Sequence, residues 1–199
     1  MKPSLPPSLP FASLVRARGV GLVEVLITMV VLAFGLLGLA AFQAKAHVGT
    51  IESYQRAQAA VLLQDMQARL SANGAAAAAY VTPSPLGTNS TLGTNCAAAA
   101  AGKDRDLCEW NAALKGAAEQ HGANNAGAMQ GARGCIELVR DQNDAPGVCT
   151  PAVYLVTVAW QGMHPTKAPA QACGKDQYGP DTHRRTVSAR VAIGLPGCS

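Results

Sequence analysis

The stretch Arg18-Gly19-Val20-Gly21-Leu22-Val23-Glu24-Val25-Leu26-Ile27 opens an apolar run that extends from Val20 to Phe42 and contains one charged residue, Glu24. A helix of about 20 apolar residues is long enough to cross the hydrocarbon layer of a membrane. A charged carboxylate at the centre of a bilayer costs roughly 2.5–3.5 kcal/mol on insertion scales, so acids inside membranes usually have a partner. We therefore expect Glu24 to make a specific contact in the membrane or in an assembly.

The segment before this run, residues 1–19, is a polar leader with four prolines and three basic residues, Lys2, Arg16 and Arg18. A secretory signal has its apolar core before the cleavage site, whereas here the apolar run follows the glycine. Basic residues before a span favour a cytoplasmic N-terminus. The remainder of the chain is then expected outside the cytoplasm. The alternative to a leader that is cleaved off is a plain membrane anchor that stays uncleaved.

The composition predicts a modest globular core and no nucleic-acid binding. The chain has 199 residues, of which 49% are hydrophobic but only 5% are aromatic. Its net charge is +4, and without the leader 13 basic and 12 acidic residues remain. Because nucleic-acid binding needs a basic surface, this near-neutral remainder argues against a nucleic-acid partner.

Six cysteines follow the apolar run, and their even number and wide spacing favour disulfides formed in an oxidising compartment. No pair has the C-x-x-C spacing of zinc ribbons or thioredoxin-like sites. Fifteen pairings are possible; we expect neighbours in sequence to pair, each bond stabilising the fold by about 2–4 kcal/mol. The expected pairs are Cys96–Cys108, Cys135–Cys149 and Cys173–Cys198.

The helical pattern continues past the apolar run. Residues that recur every three or four positions predict one buried helical face: Ile51, Tyr54, Gln58, Val61, Leu62, Met66 and Leu70. Asn73-Gly74 is a plausible stop, and no proline interrupts the segment. One helix from about residue 21 to residue 72 is expected, with its first half in lipid or a fibre core and its second half on a globular head.

A second helix is expected at 104–121, started by Asp104 or Asp106 and ended by Gly122. Trp110 lies at helical spacing with leucines, so it should belong to the core rather than to a ligand site.

Alternating apolar residues predict three strands, at 135–139, 153–161 and 186–193, in an antiparallel sheet with one face on the long helix. The alanine- and proline-rich segment 74–103 is read as loop with short helical pieces, and 162–183 as a long loop. The expected fold class is α+β, and we expect disulfides to cross-link the fold.

No motif for catalysis, for a metal or for a cofactor is present, so we expect a protein that is not an enzyme. The four histidines are isolated in different segments: His47, His121, His164 and His183. Residues 141–144 lack the glycine and glutamate of a calcium-binding EF loop and predict a turn. The Arg184-Arg185 pair is expected to be solvated at the entrance of the last strand.

A family resemblance rests on the N-terminal residues. A basic leader ending in Gly19, an apolar stretch and a glutamate at the fifth following position resemble the class III signal of type IV prepilins and pseudopilins. The further sequence Gly35-Leu36-Leu37-Gly38-Leu39-Ala40 and then Gln43 resembles the PilV-like minor pilins. The resemblance covers about 30 residues; it departs from the family in having Val20 and Gly21 where phenylalanine or methionine and then serine or threonine are common.

The resemblance implies processing by a prepilin peptidase, which would cleave between Gly19 and Val20 and methylate the new amine of Val20. Glu24 would then pair with the Val20 amine of a neighbouring subunit. The implied fold is the type IV pilin fold. The implied organisation is a leader (1–19), a transmembrane or fibre-core helix (20–43), an amphipathic helix on the head (44–73) and a periplasmic or extracellular head (74–199).

The implied function is that of a minor pilin, a structural subunit for priming, assembly and tip composition of a type IV pilus, with a part in cell adhesion. The implied partners are inner-membrane lipid, other minor pilins, the major pilin and a tip adhesin. The implied location is the bacterial inner membrane and later the pilus (fimbrium) at the cell surface. Two alternatives stay open: a pseudopilin of a type II secretion or DNA-uptake system, and a DNA-binding minor pilin.

Overall fold

The computed structural model describes residues 21–93, 95–117, 120–121, 124–125, 129–145 and 147–194. The chain divides into two compact units, Met1–Lys45 and Ala46–Ser199. The first contains the apolar start of a long helix, and the second contains a small antiparallel sheet with further helical segments. The predicted α+β class, with an apolar N-terminal helix and disulfides, is confirmed.

The long helix α1 spans Leu22–Ala72, which confirms the prediction of a single helix over this range. Acidic Glu24 lies in its first turn and basic Arg69 in its last turn, where each charge is favourable toward the helix dipole. After the last turn the Asn73 amide donates to the carbonyl oxygen of Arg69 at 3.1 Å. A 3₁₀ segment, Gly74–Tyr80, then leads the chain away.

The sheet has four antiparallel strands in the order β1-β4-β5-β6. Their bounds are Leu86–Gly87 (β1), Arg133–Arg140 (β4), Ala152–Gln161 (β5) and Arg184–Ile193 (β6). The three predicted strands are confirmed. β1 was not predicted because two residues carry no alternating pattern. A separate two-stranded pair consists of Gln120–His121 (β2) and Asn124–Asn125 (β3).

The second helix, α2, is shorter than predicted and spans Lys103–Leu114. Gly116 has a φ of +81°, and the Ala117 amide bonds the carbonyl oxygen of Ala112 at 3.0 Å. This glycine cap ends the helix before residue 121. The capping prediction was also wrong, since Gly102 holds the N-cap position and the two aspartates lie in the first turn.

The core of the second unit forms where α1, α2 and the sheet meet. Trp110 is fully buried, as predicted, and its indole nitrogen donates to the carbonyl oxygen of Leu62 at 2.9 Å. The inner face of β5 carries the predicted alternating residues, all of which are buried: Tyr154, Val156, Val158 and Trp160. The thin core is therefore organised around Trp110 and the inner face of β5.

The buried face of α1 in the second unit is only partly the predicted one, because Met66 and Leu70 are buried as expected while the other buried residues were not predicted. The buried residues recur at four- and three-residue steps: Gln55, Ala59, Leu63, Met66 and Leu70. Ile51, Tyr54 and Val61, which were expected in the core, are about half exposed. At 3.6 residues per turn the two stripes are centred about 120° apart around the helix. The sequence pattern had combined two stripes, only one of which packs on the sheet.

Two disulfides join described cysteines. Cys96–Cys108 is confirmed, with 5.5 Å between the Cα atoms. The predicted Cys135–Cys149 and Cys173–Cys198 pairs are wrong, because Cys135 is bonded to Cys173. Cys149 is also disulfide-bonded, and Cys198 lies outside the described residues.

The register of the sheet explains the error. Cys135 lies opposite Thr157 in β5, whereas Thr150, next to Cys149, lies opposite Asn143. Cys135 lies five residues before the end of β4 at Arg140, roughly 16 Å at 3.3 Å per residue, and Asn143 lies three residues further along the chain. A disulfide requires Cα atoms within about 7 Å, so Cys135 and Cys149 cannot pair.

The Arg184-Arg185 pair is not a solvated strand entrance, because Arg184 is 1% exposed. Its guanidinium forms an ion pair with Asp181 at 2.6 Å and donates to the carbonyl oxygens of Pro169, Gln171 and Cys173. Arg184 therefore fixes the long 162–183 loop against the start of β6.

Candidate functional site

The first candidate surface is the apolar beginning of α1. Fourteen large apolar side chains between Leu22 and Phe42 are 41–77% exposed and cover every side of the helix. By length and composition α1 could cross a membrane, and a membrane anchor and a signal sequence both satisfy that test. A helix that is apolar all round needs lipid or other helices around it. We name residues 22–42 the apolar segment.

Glu24 is the one acidic or basic residue of the apolar segment. It lies in the first turn of α1, and its backbone amide donates to the carbonyl oxygen of Gly21 at 2.9 Å. The unpaired amides of a helix start favour an adjacent carboxylate. Its side chain is exposed and is thus positioned for contact with another molecule. Gly19 and Val20, the expected cleavage and methylation residues, lie outside the described residues.

A second candidate surface lies on α1 within the second unit. Ile51, Tyr54 and Val61 form an apolar stripe about half exposed to solvent, and Gln58 lies within it. We name these four residues the outer stripe. Apolar residues at helical spacing on an outer face are typical of a helix that packs against a further partner. The helical spacing of these residues had predicted that they belong to the core.

A cluster of charged residues connects the end of α1 to α2. The Arg69 guanidinium lies 3.0 Å from Asp65, 3.0 Å from Asp106 and 2.6 Å from Glu109. The Tyr80 hydroxyl donates to Asp106 at 2.5 Å. Burial, together with this hydrogen bond, raises the pKa of Tyr80 to about 12. The cluster thus fixes α2 to the helix that bears the outer stripe.

A further ion pair connects α1 to the edge strand β6. The Glu52 carboxylate accepts from the Arg185 guanidinium and from the Met163 amide, both at 3.2 Å. Both bonds span more than a hundred residues of sequence. Sequence reasoning missed them because no local pattern relates an acid on one helix to a base on a distant strand.

The remaining sequence-predicted candidates are divided between the two units. Glu24 belongs to the first unit and the cysteines to the second. Across the described ranges, no group of three or more histidine, cysteine, aspartate or glutamate side chains is close enough to hold a metal ion. The described residues offer two exposed apolar surfaces, the apolar segment and the outer stripe.

Comparison with known proteins adds no assignment. No protein family model, no curated protein and no solved structure matches this chain. The geometry of its own residues is thus the basis for a functional proposal.

Proposed function

We propose that this chain is a minor pilin with a type IV pilin fold, a structural subunit of the PilV-like group that takes part in type IV pilus priming and assembly. The observation that carries the proposal is Glu24 in the first turn of an all-round apolar helix, five positions after Gly19. That helix continues as α1 to Ala72, and its later part packs on a small sheet.

Electrostatics supports a role for Glu24 in assembly. A carboxylate inside lipid is expensive unless it meets an opposite charge. Cleavage after Gly19 would create an amine on Val20. In a medium of low dielectric constant, that amine on one subunit and Glu24 on the next attract each other more strongly than in water. The pair would fix the axial register of neighbouring helices.

The outer stripe supports the same function. In a fibre whose subunits pack helix against helix, the apolar segment and then the outer stripe would both lie against neighbouring subunits. A single membrane anchor explains the apolar segment but gives no reason for exposed Ile51, Tyr54 and Val61. Their exposure therefore favours an assembling subunit over a plain anchor.

The first experiment replaces Glu24 in cells and measures how much of the chain is recovered in sheared pili. We expect Glu24→Gln to lower incorporation at least tenfold, while Glu24→Asp, which keeps the charge, retains part of it. Glu137→Gln is a matched control on the sheet. Undiminished incorporation of Glu24→Gln with a normal amount of protein in the membrane would refute the proposed pairing.

The second experiment determines the N-terminus by mass analysis of the chain recovered from membranes. We expect a mature chain that begins at methylated Val20, and an intact Met1 terminus would refute prepilin processing. Deleting the gene then distinguishes a minor pilin from a pseudopilin. Loss of surface pili supports a minor pilin, whereas loss of protein secretion or DNA uptake with intact pili supports a pseudopilin.

A further inference from the structure

A cavity of about 400 Å³ lies in the second unit between the segment 84–91, which contains β1, and the 172–177 loop. Its walls carry hydroxyl and amide groups, among them Thr88, Ser90 and Thr91, and two basic side chains, Arg133 and Lys175. None of the described residues that line it is acidic. We name it the loop cavity.

Arg133 is the unusual residue of the loop cavity. It is 5% exposed, and no carboxylate of the described residues lies within ion-pair distance of it. Its guanidinium donates to the carbonyl oxygen of Gly131 at 3.1 Å and to the side-chain oxygen of Gln177 at a long 3.4 Å, and it lies 4.9 Å from the centre of the Tyr178 ring. A guanidinium has five N–H donors, so several are left for another acceptor.

Arg184, the other buried arginine of the same unit, is a useful comparison because its guanidinium has an anionic partner within the protein. Arg184 has the Asp181 carboxylate at 2.6 Å and bonds three backbone carbonyl oxygens. Burying a charge without a counter-charge costs several kcal/mol, so a buried arginine that lines a cavity and has no anion points to an anion from outside.

The other charges near the loop cavity leave it electropositive. Lys175 is exposed at the rim. Asp176 follows it in sequence but does not line the cavity, and Asp181 is engaged by Arg184. Lys115 donates to the carbonyl oxygen of Ser90 at 3.0 Å, which adds a third positive charge behind the loop.

The walls of the loop cavity are held in place from both sides. The Cys135–Cys173 disulfide fixes the 172–177 loop to β4, two residues beyond Arg133. The Tyr178 hydroxyl donates to the carbonyl oxygen of Gly131 at 2.9 Å. On the other side, the Thr88 amide bonds the carbonyl oxygen of Ala132 at 2.9 Å. A site held in this way binds without a large ordering cost.

We propose that the loop cavity binds a uronic acid, a hydroxyl-rich sugar that carries one carboxylate. The planar fork of Arg133 matches a carboxylate, with which arginine forms paired charge-assisted hydrogen bonds. The hydroxyl and amide groups of the walls match sugar hydroxyls, since each can both donate and accept. A volume of about 400 Å³ lies within the range of small-molecule sites and exceeds what one inorganic anion needs. This binding is independent of the proposed role in pilus assembly.

The test measures binding to the purified full chain in detergent micelles, with its disulfides intact, by isothermal titration calorimetry. The probes are D-glucuronate and D-galacturonate, with D-glucose and D-galactose as neutral counterparts and acetate and inorganic phosphate as anions that lack the sugar ring. We expect one of the uronates to bind at least tenfold more tightly than its neutral sugar and than either small anion. Equal binding of the neutral sugar, or of acetate or phosphate, would overturn the proposal.

Variants locate the binding. Arg133→Gln should weaken uronate binding at least tenfold. Because Arg133 is buried, Lys175→Glu at the exposed rim provides a second variant that keeps the core unchanged. Lys167→Glu is the matched control, since it makes the same charge change on the same long loop away from the cavity. Lys175→Glu should weaken binding severalfold more than Lys167→Glu; an equal effect of the two would overturn this site.

Discussion

Removing the Cys135–Cys173 disulfide should destabilise the second unit more than removing Cys96–Cys108. The first bond spans 38 residues and the second 12. In the chain-entropy description, a cross-link raises the free energy of the unfolded chain because it removes conformational entropy. At 25 °C this increase is about 4 kcal/mol for the longer loop and about 3 kcal/mol for the shorter loop. We therefore expect the double Cys→Ala variant of the longer loop to lose about 1 kcal/mol more stability than that of the shorter loop.

Equilibrium unfolding in urea, followed by tryptophan fluorescence in detergent, measures the two losses. Trp110 and Trp160 are the two tryptophans of the chain, and both are buried in the core of the second unit. Peptide mapping of the non-reduced protein should recover Cys135 joined to Cys173. A smaller loss for the longer loop would refute the entropic reasoning, and a peptide that joins Cys135 to Cys149 would refute the pairing itself.

Three further predictions concern the same unit. Gly134→Ala would put a Cβ atom 2.6 Å from Cζ3 of Trp110, and such overpacking should lower the free energy of unfolding by about 1–3 kcal/mol. Gly93→Ala is the control, because its Cβ atom would lie in open space. Urea titrations in which both variants unfold alike would contradict this expectation. The raised pKa of Tyr80, about 12 against an ordinary 10, means that its contribution to stability is complete below pH 10 and is lost as the pH rises toward 12. Tyr80→Phe should accordingly make alkaline unfolding less steep in that window, and an unchanged pH profile would show that Tyr80 does not contribute. The side-chain oxygen of Gln55 is buried with no hydrogen-bond partner among the described residues. Because an unpaired buried acceptor is costly, Gln55→Met should raise the free energy of unfolding by about 1 kcal/mol. A lower thermal midpoint of the variant would contradict this expectation.

The candidate surfaces differ in how far the sequence could reveal them. Glu24 and the apolar segment were predictable because one acid in an apolar run stands out without any knowledge of the fold. The outer stripe was recognised as apolar but assigned to the wrong environment, since helical spacing alone does not say which of two stripes meets the sheet. The loop cavity was missed altogether. Its arginine and its lysine are 42 residues apart in sequence and meet through strand pairing and a disulfide.

The sequence by itself determined the local elements of this protein. The continuous helix α1, the three long strands and the Cys96–Cys108 bond follow from periodicity, from the absence of prolines and from short separation along the chain. Tertiary structure decided which residues these elements bring together. Cys135 pairs with Cys173, and Arg184 is buried and paired. Arg133 is buried with no carboxylate of the described residues at ion-pair distance. The sheet register and the path of the 162–183 loop set these neighbours. Such contacts depend on strand pairing between distant residues, for which a single sequence carries no local signal.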